Sequence, residues 1–341
     1  MPRPLPPHRF VRPKIFLCIA ANCCFVVLLV GNILRGSHNS SPLDVLFFIN
    51  ASRAHFMDEV NESSIVTASL APLRIELDVS ASGNDVEQDL GRPLSRPHND
   101  DIHLCICFFG LLRSFRHTAQ SIDKQLFKVL EDEGIQHSVF LHTFALKDPL
   151  YNPRSRDFNT TVDTDYKQLK PTVAIIEDQN EFDRFSDFES YNSMSDPFDD
   201  EFRSVRNILR EGQSLKQVTR LWVMSPIKCS HVFYTRPDLY FETPFNVTEL
   251  YRVTHLSWFT GAYHEFGGYN DRFAFGDPEG MKIWGNRIEL FSEYSASNPM
   301  VPEPFMKFVA EKHNISHFHS RLCLRRYRSN GLIDHGVCSK K

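Results

Sequence analysis

The stretch HVFYTRPDLYF, His231 to Phe241, decides how this chain is read. Its first half is apolar and aromatic without alternation, the pattern of a strand covered on both faces. Pro237 cannot donate to a central ladder, so the strand stops before it. Arg236 and Asp238 are thereby fixed at the carboxyl end of a buried strand. An ion pair closing the strand end is one reading of the two. The other is a ligand site, because in open α/β sheets ligands gather in the crevice beyond the carboxyl ends of the strands. A single carboxylate there can take magnesium or manganese already held by phosphate oxygens, and an arginine's planar fork can grip a phosphate or a sugar hydroxyl.

The surroundings supply the rest of a sheet. IHLCICFF, Ile102 to Phe109, is a second doubly covered strand, closed by Gly110. From Thr118 onward Ile122, Leu126, Val129 and Leu130 recur at helical spacing until Gly134. SVFLHTF, Ser138 to Phe144, and TVAIIED, Thr172 to Asp178, are further strand candidates. Strand, helix, strand in this order predicts an α/β fold with a mixed, mostly parallel sheet flanked by helices. Between Glu177 and Glu201 stand ten acidic residues and one basic residue, Arg184, which reads as a solvated surface loop. Phe202, Val205, Leu209, Leu215, Val218 and Trp222 predict one helix interrupted near Gly212, or two short ones. In HFHSRLCLRRYR, His317 to Arg328, alternation sets His317, His319, Arg321 and Arg325 on one face and Phe318, Leu322 and Leu324 on a buried one. The polar face is read as a solvated sheet edge, as a source of a metal-binding His319, or as a source of arginines for a leaving diphosphate.

At the other end, Ile15 to Leu34 is 20 residues without a charge, long enough for a helix to cross a bilayer. Arg3, Arg9, Arg12 and Lys14 precede it with no acid, which predicts a cytoplasmic tail 1–14, a signal anchor 15–34, and everything beyond on the lumenal side. A cleaved signal peptide is the rival, but its apolar core is usually shorter, and no small-x-small site follows Leu34. Residues 35–100, rich in Ser, Asn, Asp and Pro, read as a stem too poor in apolar surface to fold alone, leaving 101–341 as the globular domain. Six N-x-S/T sequons, at Asn39, Asn50, Asn61, Asn159, Asn246 and Asn314, all fall on the lumenal side. Beyond the first 35 residues 33 basic groups face 42 acidic ones, which disfavours nucleic acid as a partner. Of eight cysteines, Cys105, Cys107, Cys229, Cys323 and Cys338 lie past the anchor without zinc spacing. Some of them can pair in an oxidising lumen, with Cys338 available to a partner chain, and at least one of Cys105 and Cys107 is expected as a buried thiol.

Several short motifs occur together: FFGLLRSF (Phe108 to Phe115), VFLHTF (Val139 to Phe144), YTRPDLYF (Tyr234 to Phe241), NDRFAFGDPEGMKIW (Asn270 to Trp284), and Pro302 with Glu303. In type and order they resemble a group of GT-A-like glycosyltransferases of the type II Golgi membrane kind. That resemblance implies a GT-A-like, Rossmann-type fold over roughly 101 to 327 and a nucleotide-sugar donor. Gly110 would let the backbone approach the nucleotide, while Arg113, Arg236 and Arg272 would contact its base or phosphates. Asp238 would meet the metal and diphosphate, with His319 as a second metal ligand. Asp271 would be an acceptor-binding carboxylate or catalytic base, although a turn-capping Asp also fits that position, and Glu303 would assist. Tyr240 stands where a second Asp is usual, which leaves open whether manganese or magnesium is used at all.

The function expected is transfer of a sugar from a nucleotide sugar to a glycan, glycoprotein or glycolipid acceptor in the Golgi lumen. The alternative is a noncatalytic carbohydrate-binding or scaffolding protein that kept the fold and lost turnover. A sulfotransferase is disfavoured because GLLRSFRHT lacks a phosphate loop rich in glycine and threonine. If Asp238 meets the diphosphate, Asp238→Asn abolishes transfer and leaves stability intact.

Overall fold

A computed structural model describes residues 102–333 and Cys338, apart from residues 153, 155–156, 162, 164 and 192–194 and the side chains of residues 150, 157, 159 and 160. The tail, anchor and stem expected over 1–14, 15–34 and 35–100 lie outside the described residues, as do Asn39, Asn50, Asn61 and the side chain of Asn159. No helix among the described residues is long and apolar enough to cross a membrane.

The described strands are β1 (His103–Phe109), β2 (Gln136–Ala145), β3 (Leu150–Asn152), β4 (Asp157–Thr160), β5 (Val173–Asp178), β6 (His231–Thr235), β7 (Leu239–Phe241), β8 (Ser257–Gly261), β9 (Phe273–Gly276), β10 (Ser316–Ser320) and β11 (Leu324–Arg326). Seven form one sheet in the order β10-β8-β9-β6-β1-β2-β5. All its pairs are parallel except those of β9, which runs against β6 and β8. Alternation along β1 explains its unbroken apolar run. Leu104, Ile106 and Phe108 face a core beneath α1 (Phe115–Ile122), a π-type turn (Asp123–Phe127) and α2 (Lys128–Asp132). Cys105, Cys107 and Phe109 face the opposite core, beneath α4 (Arg203–Met224), α5 (Pro278–Gly285), α6 (Phe291–Ser295) and α7 (Pro302–Lys312). Both faces are therefore covered, as the apolar runs predicted.

The chain leaves β1 toward β2 and β5, then returns through α4 to β6 on the other side of β1. That reversal between β1 and β6 is a topological switch point, where diverging loops open a crevice at the carboxyl ends of the strands. The segments leaving there are Gly110 to Arg113 and Arg236 to Asp238.

Local structure corrects several expectations. Residues 203–224 are one uninterrupted helix, and Gly212 marks a close approach rather than a break. A Cβ at Gly212 would lie 3.1 Å from Ile288 and from the Phe291 ring. The acidic stretch is partly helical, since α3 (Gln179–Phe185) is capped by the Asp178 carboxylate, which accepts from the Asn180 amide at 2.9 Å. His317 to Arg328 is not one strand but two in different sheets, because β10 ends at Ser320 and β11 pairs with β7. Phe318 is consequently exposed at the sheet edge rather than buried. Cys105 is bonded to Cys229 and Cys338 to Cys323, so the tail cysteine is not free, and Cys107 is the buried thiol among the described residues.

Candidate active site

Asp238 lies beneath the switch-point crevice, and the side chain expected to meet a metal and diphosphate is surrounded there by arginines. Its side chain is 1% exposed, and three guanidiniums enclose it. Arg236 donates from Nε to Oδ1 at 2.9 Å and from a terminal nitrogen to Oδ2 at 2.8 Å. Arg113 donates to Oδ2 at 3.1 and 2.8 Å, and Arg326 at 3.3 Å. The ion-pair reading thus holds, with two further arginines. Burial by itself would push this carboxyl up; Arg236, Arg113 and Arg326 overcome it and hold Asp238 well below the usual carboxylate range.

Each arginine arrives for a local reason. Arg113 follows Gly110, whose φ of +90° turns the chain sharply off β1. The Gly110 amide is held by Ser214 Oγ of α4 at 2.8 Å. Arg326 is delivered by β11, which pairs antiparallel to β7 and places Arg326 opposite Leu239, next to Asp238. The Tyr327 amide then donates to the Asp238 carbonyl at 2.9 Å. Beneath Arg236 lies a second acid, Glu211 of α4, which accepts from Arg236 at 2.7 Å and from the buried Arg287 at 3.2 Å. Burial raises Glu211 above its ordinary value, against the pull of Arg236.

Above this floor opens a cleft of about 580 Å³. Gly110, Arg113, Arg236, Asp271, Arg272 and Glu303 all line it, so the structure brings these sequence-predicted residues together. Asp238 lies under the floor rather than in the lining, and His319 is elsewhere, exposed and 2.8 Å from Glu265. A metal held jointly by Asp238 and His319 does not fit this donor set. Among the described residues the one close cluster of three His, Cys, Asp or Glu side chains is Glu242, Cys323 and Cys338, and both its cysteines are in a disulfide. Of the described sequon asparagines, Asn246 caps a short helical turn and Asn314 is exposed with φ +53°.

The carboxylate side of the cleft is built by a glycine. A side chain at Gly268 would collide with the Glu303 backbone, and the Tyr269 amide donates to the Glu303 carbonyl at 3.0 Å. The turn before β9 therefore docks on the first turn of α7 and sets Asp271 beside Glu303. Burial, reinforced by the Asp271 charge, pushes Glu303 up to about 8. A carboxyl raised on folding is stabilising at pH values below its unfolded value of about 4.3 and loses that contribution as pH rises through its folded value. The parent protein is therefore expected to lose stability relative to Glu303→Gln between about pH 4.3 and 8, read from paired melting curves; parallel curves would remove Glu303 from this role.

Seven arginines and three carboxylates line the cleft, in a chain whose formal charge is −4. Part of that surplus is compensated nearby, as where Arg210 is paired with Asp183 at 2.7 Å. Around Asp238 three guanidiniums share one carboxylate, with Glu211 as a second acid beneath Arg236. Arg326 is lowered well below an arginine's ordinary value, first by burial and then by repulsion from Arg113 and Arg236. Clustered guanidiniums of this kind focus positive potential on the cleft above them. Sequence reading missed Glu211, Arg287 and Arg326. Gly212 was the available signal for Glu211, since a glycine within a long helix marks close packing, and the break after Ser320 was the one needed for Arg326.

Comparison with known proteins finds no matching family model and no matching curated protein. Among solved structures the chain is similar to mouse xyloside xylosyltransferase 1 in its apo form, at 12% identity and a TM-score of 0.33, over 64% of this chain and 84% of that one. At that TM-score the likeness carries no weight for chemistry.

Proposed function

We propose that this chain is a glycosyltransferase that binds a nucleoside-diphosphate sugar in the switch-point cleft and moves the sugar to an acceptor hydroxyl. The observation that carries this reading is the arginine floor of Arg113, Arg236 and Arg326, facing Asp271 and Glu303 across one cleft. In such a transfer the bond from the anomeric carbon to the diphosphate oxygen breaks and its electron pair goes to the diphosphate. Preorganised guanidiniums supply stabilisation where that charge develops, without the reorganisation that water would need. The acceptor oxygen bonds to the anomeric carbon, and its proton passes to Asp271.

The motif resemblance over roughly 101 to 327 supports the same reading. It keeps residues 15–34 as the signal anchor of a single-pass type II Golgi membrane protein, with 35–100 as a lumenal stem, on the strength of the uncharged segment, the basic residues before it and the sequons after it. A second reading, carbohydrate binding without turnover, draws on Asp238 being committed to arginines instead of a metal.

The test is titration of the full chain with uridine, guanosine and cytidine diphosphates, followed by transfer or hydrolysis assays with their sugar conjugates. At least one nucleotide is expected to bind, and to remain bound in EDTA. Arg326→Met is expected to weaken it about 10- to 100-fold, the loss of one charge-assisted contact, while melting no lower than the parent, because a crowded cation has been removed. Binding without turnover selects the second reading; no binding by any nucleotide discards the first.

A further inference from the structure

Phe266 stands out at the lip of the cleft. It is 67% exposed, and its backbone is left-handed, with φ +37°. A bulky aromatic in that conformation is a strained outlier, and exposing its ring to water adds a second penalty. The neighbouring His264 ring, its centroid 5.8 Å away and tilted by 31°, covers part of it, and two thirds of the side chain stays open to solvent.

The segment around it is nevertheless firmly built. A tight turn, closed by the Gly268 amide on the Glu265 carbonyl at 2.6 Å, carries Phe266 inside it. Glu265 is held by His319 at 2.8 Å, and Gly268 is seated against the Glu303 backbone. The buried Asn270 draws the loop together, donating to the Tyr263 carbonyl at 2.6 Å and accepting from the Arg272 amide at 2.9 Å. Phe266 is thus presented at a fixed place in the lining that also contains Asp271 and Glu303.

We propose that Phe266 is a stacking platform for a pyranose ring, so that the acceptor taken up beside Asp271 and Glu303 is a saccharide. This rests on the glycosyltransferase reading above. A pyranose has one face of C–H groups that desolvates well against an aromatic ring, and a rim of hydroxyls that carboxylates accept from. The cleft offers both on one side, and offers cations on the other. The nucleobase of a donor would also stack on an aromatic. It is expected instead near the loop after β1, where Gly110 and Leu111 line the crevice at the switch point.

The probes are the methyl α- and β-glycosides of glucose, galactose, mannose, xylose, N-acetylglucosamine and N-acetylgalactosamine. They are applied to the full chain and followed by saturation-transfer NMR and titration, without any donor. At least one is expected to bind with saturation concentrated on the C–H protons of one ring face. Phe266→Ala is expected to weaken it at least tenfold, and Phe266→Trp to retain it. Phe266→Gly, which tolerates the left-handed backbone, is expected to lose binding while melting no lower than the parent, which separates lost stacking from unfolding. Binding untouched by Phe266→Ala, or no binding by any glycoside, overturns the proposal whatever the nucleotides do. Loss of nucleotide affinity instead assigns the ring to the base and overturns it equally. If glycosides bind through Phe266 and no nucleotide binds, the platform stands and the transferase reading falls.

Discussion

Asp238→Asn is expected to destabilise the fold by about 3–5 kcal/mol, the range for breaking a buried charge cluster by removing one partner. The carboxylate is the shared counter-charge of Arg113, Arg236 and Arg326, and it has no contact with water to lose. Without it three guanidiniums crowd one another, and Glu211 is ion-paired with Arg236. At roughly 2–4 °C per kcal/mol for a domain of this size, the melting point should fall by about 6–20 °C. The sign with pH follows from the depressed carboxyl. Its contribution is complete above the unfolded value of about 3.9 and is withdrawn as pH falls through the lower folded value, so the gap between parent and variant should narrow in acid. Denaturant melts from neutral pH downward measure both. Equal stability of parent and variant at neutral pH would show that the cluster is not formed in solution. The expectation that Asp238→Asn spares stability while abolishing transfer is thereby replaced: any activity lost in that variant is confounded by unfolding.

Asp271→Asn is the sharper functional probe. On the proposed reading transfer should drop about 10²- to 10⁴-fold, the usual contribution of a positioned proton acceptor. Nucleotide affinity should be kept or improved, because Asp271 is close enough to act electrostatically on Arg236 and Arg287, and removing its charge leaves the floor more positive. Asp271 is only half-buried, so melting should stay near the parent's. Single-turnover transfer and nucleotide titration on the same preparation separate these effects. Unchanged transfer would remove Asp271 from the chemistry, and lost nucleotide affinity would make it a donor-binding group.

The doubly covered strands were legible in the sequence because burial on both faces leaves an unbroken apolar run, as in β1 and β6. The antiparallel run of β9 left no such trace, since strand direction is decided by which neighbour a strand reaches and not by its own residues. Gly110, Arg113, Arg236, Asp271 and Arg272 were nameable because they sit next to strand ends or glycine turns, where chain direction changes, whereas Glu303, in the first turn of α7, was named from the motif resemblance alone. Glu211 was not. It lies within a long helix, where an acid on the buried side looks like any solvated one until its arginines are placed. Arg326 escaped notice because β10 and β11 were read as one ladder, and a single break reassigns every side chain beyond it.

Ser114 and Tyr327 hydrogen-bond across 213 residues, and Arg326 comes to Asp238 through the same late segment. The cleft floor cannot be finished until the segment that carries Arg326 and Tyr327 has left the ribosome. Asp238 is made 88 residues before its third cation. A nascent chain will therefore hold this carboxylate against two guanidiniums only, until β11 has been made and has folded back.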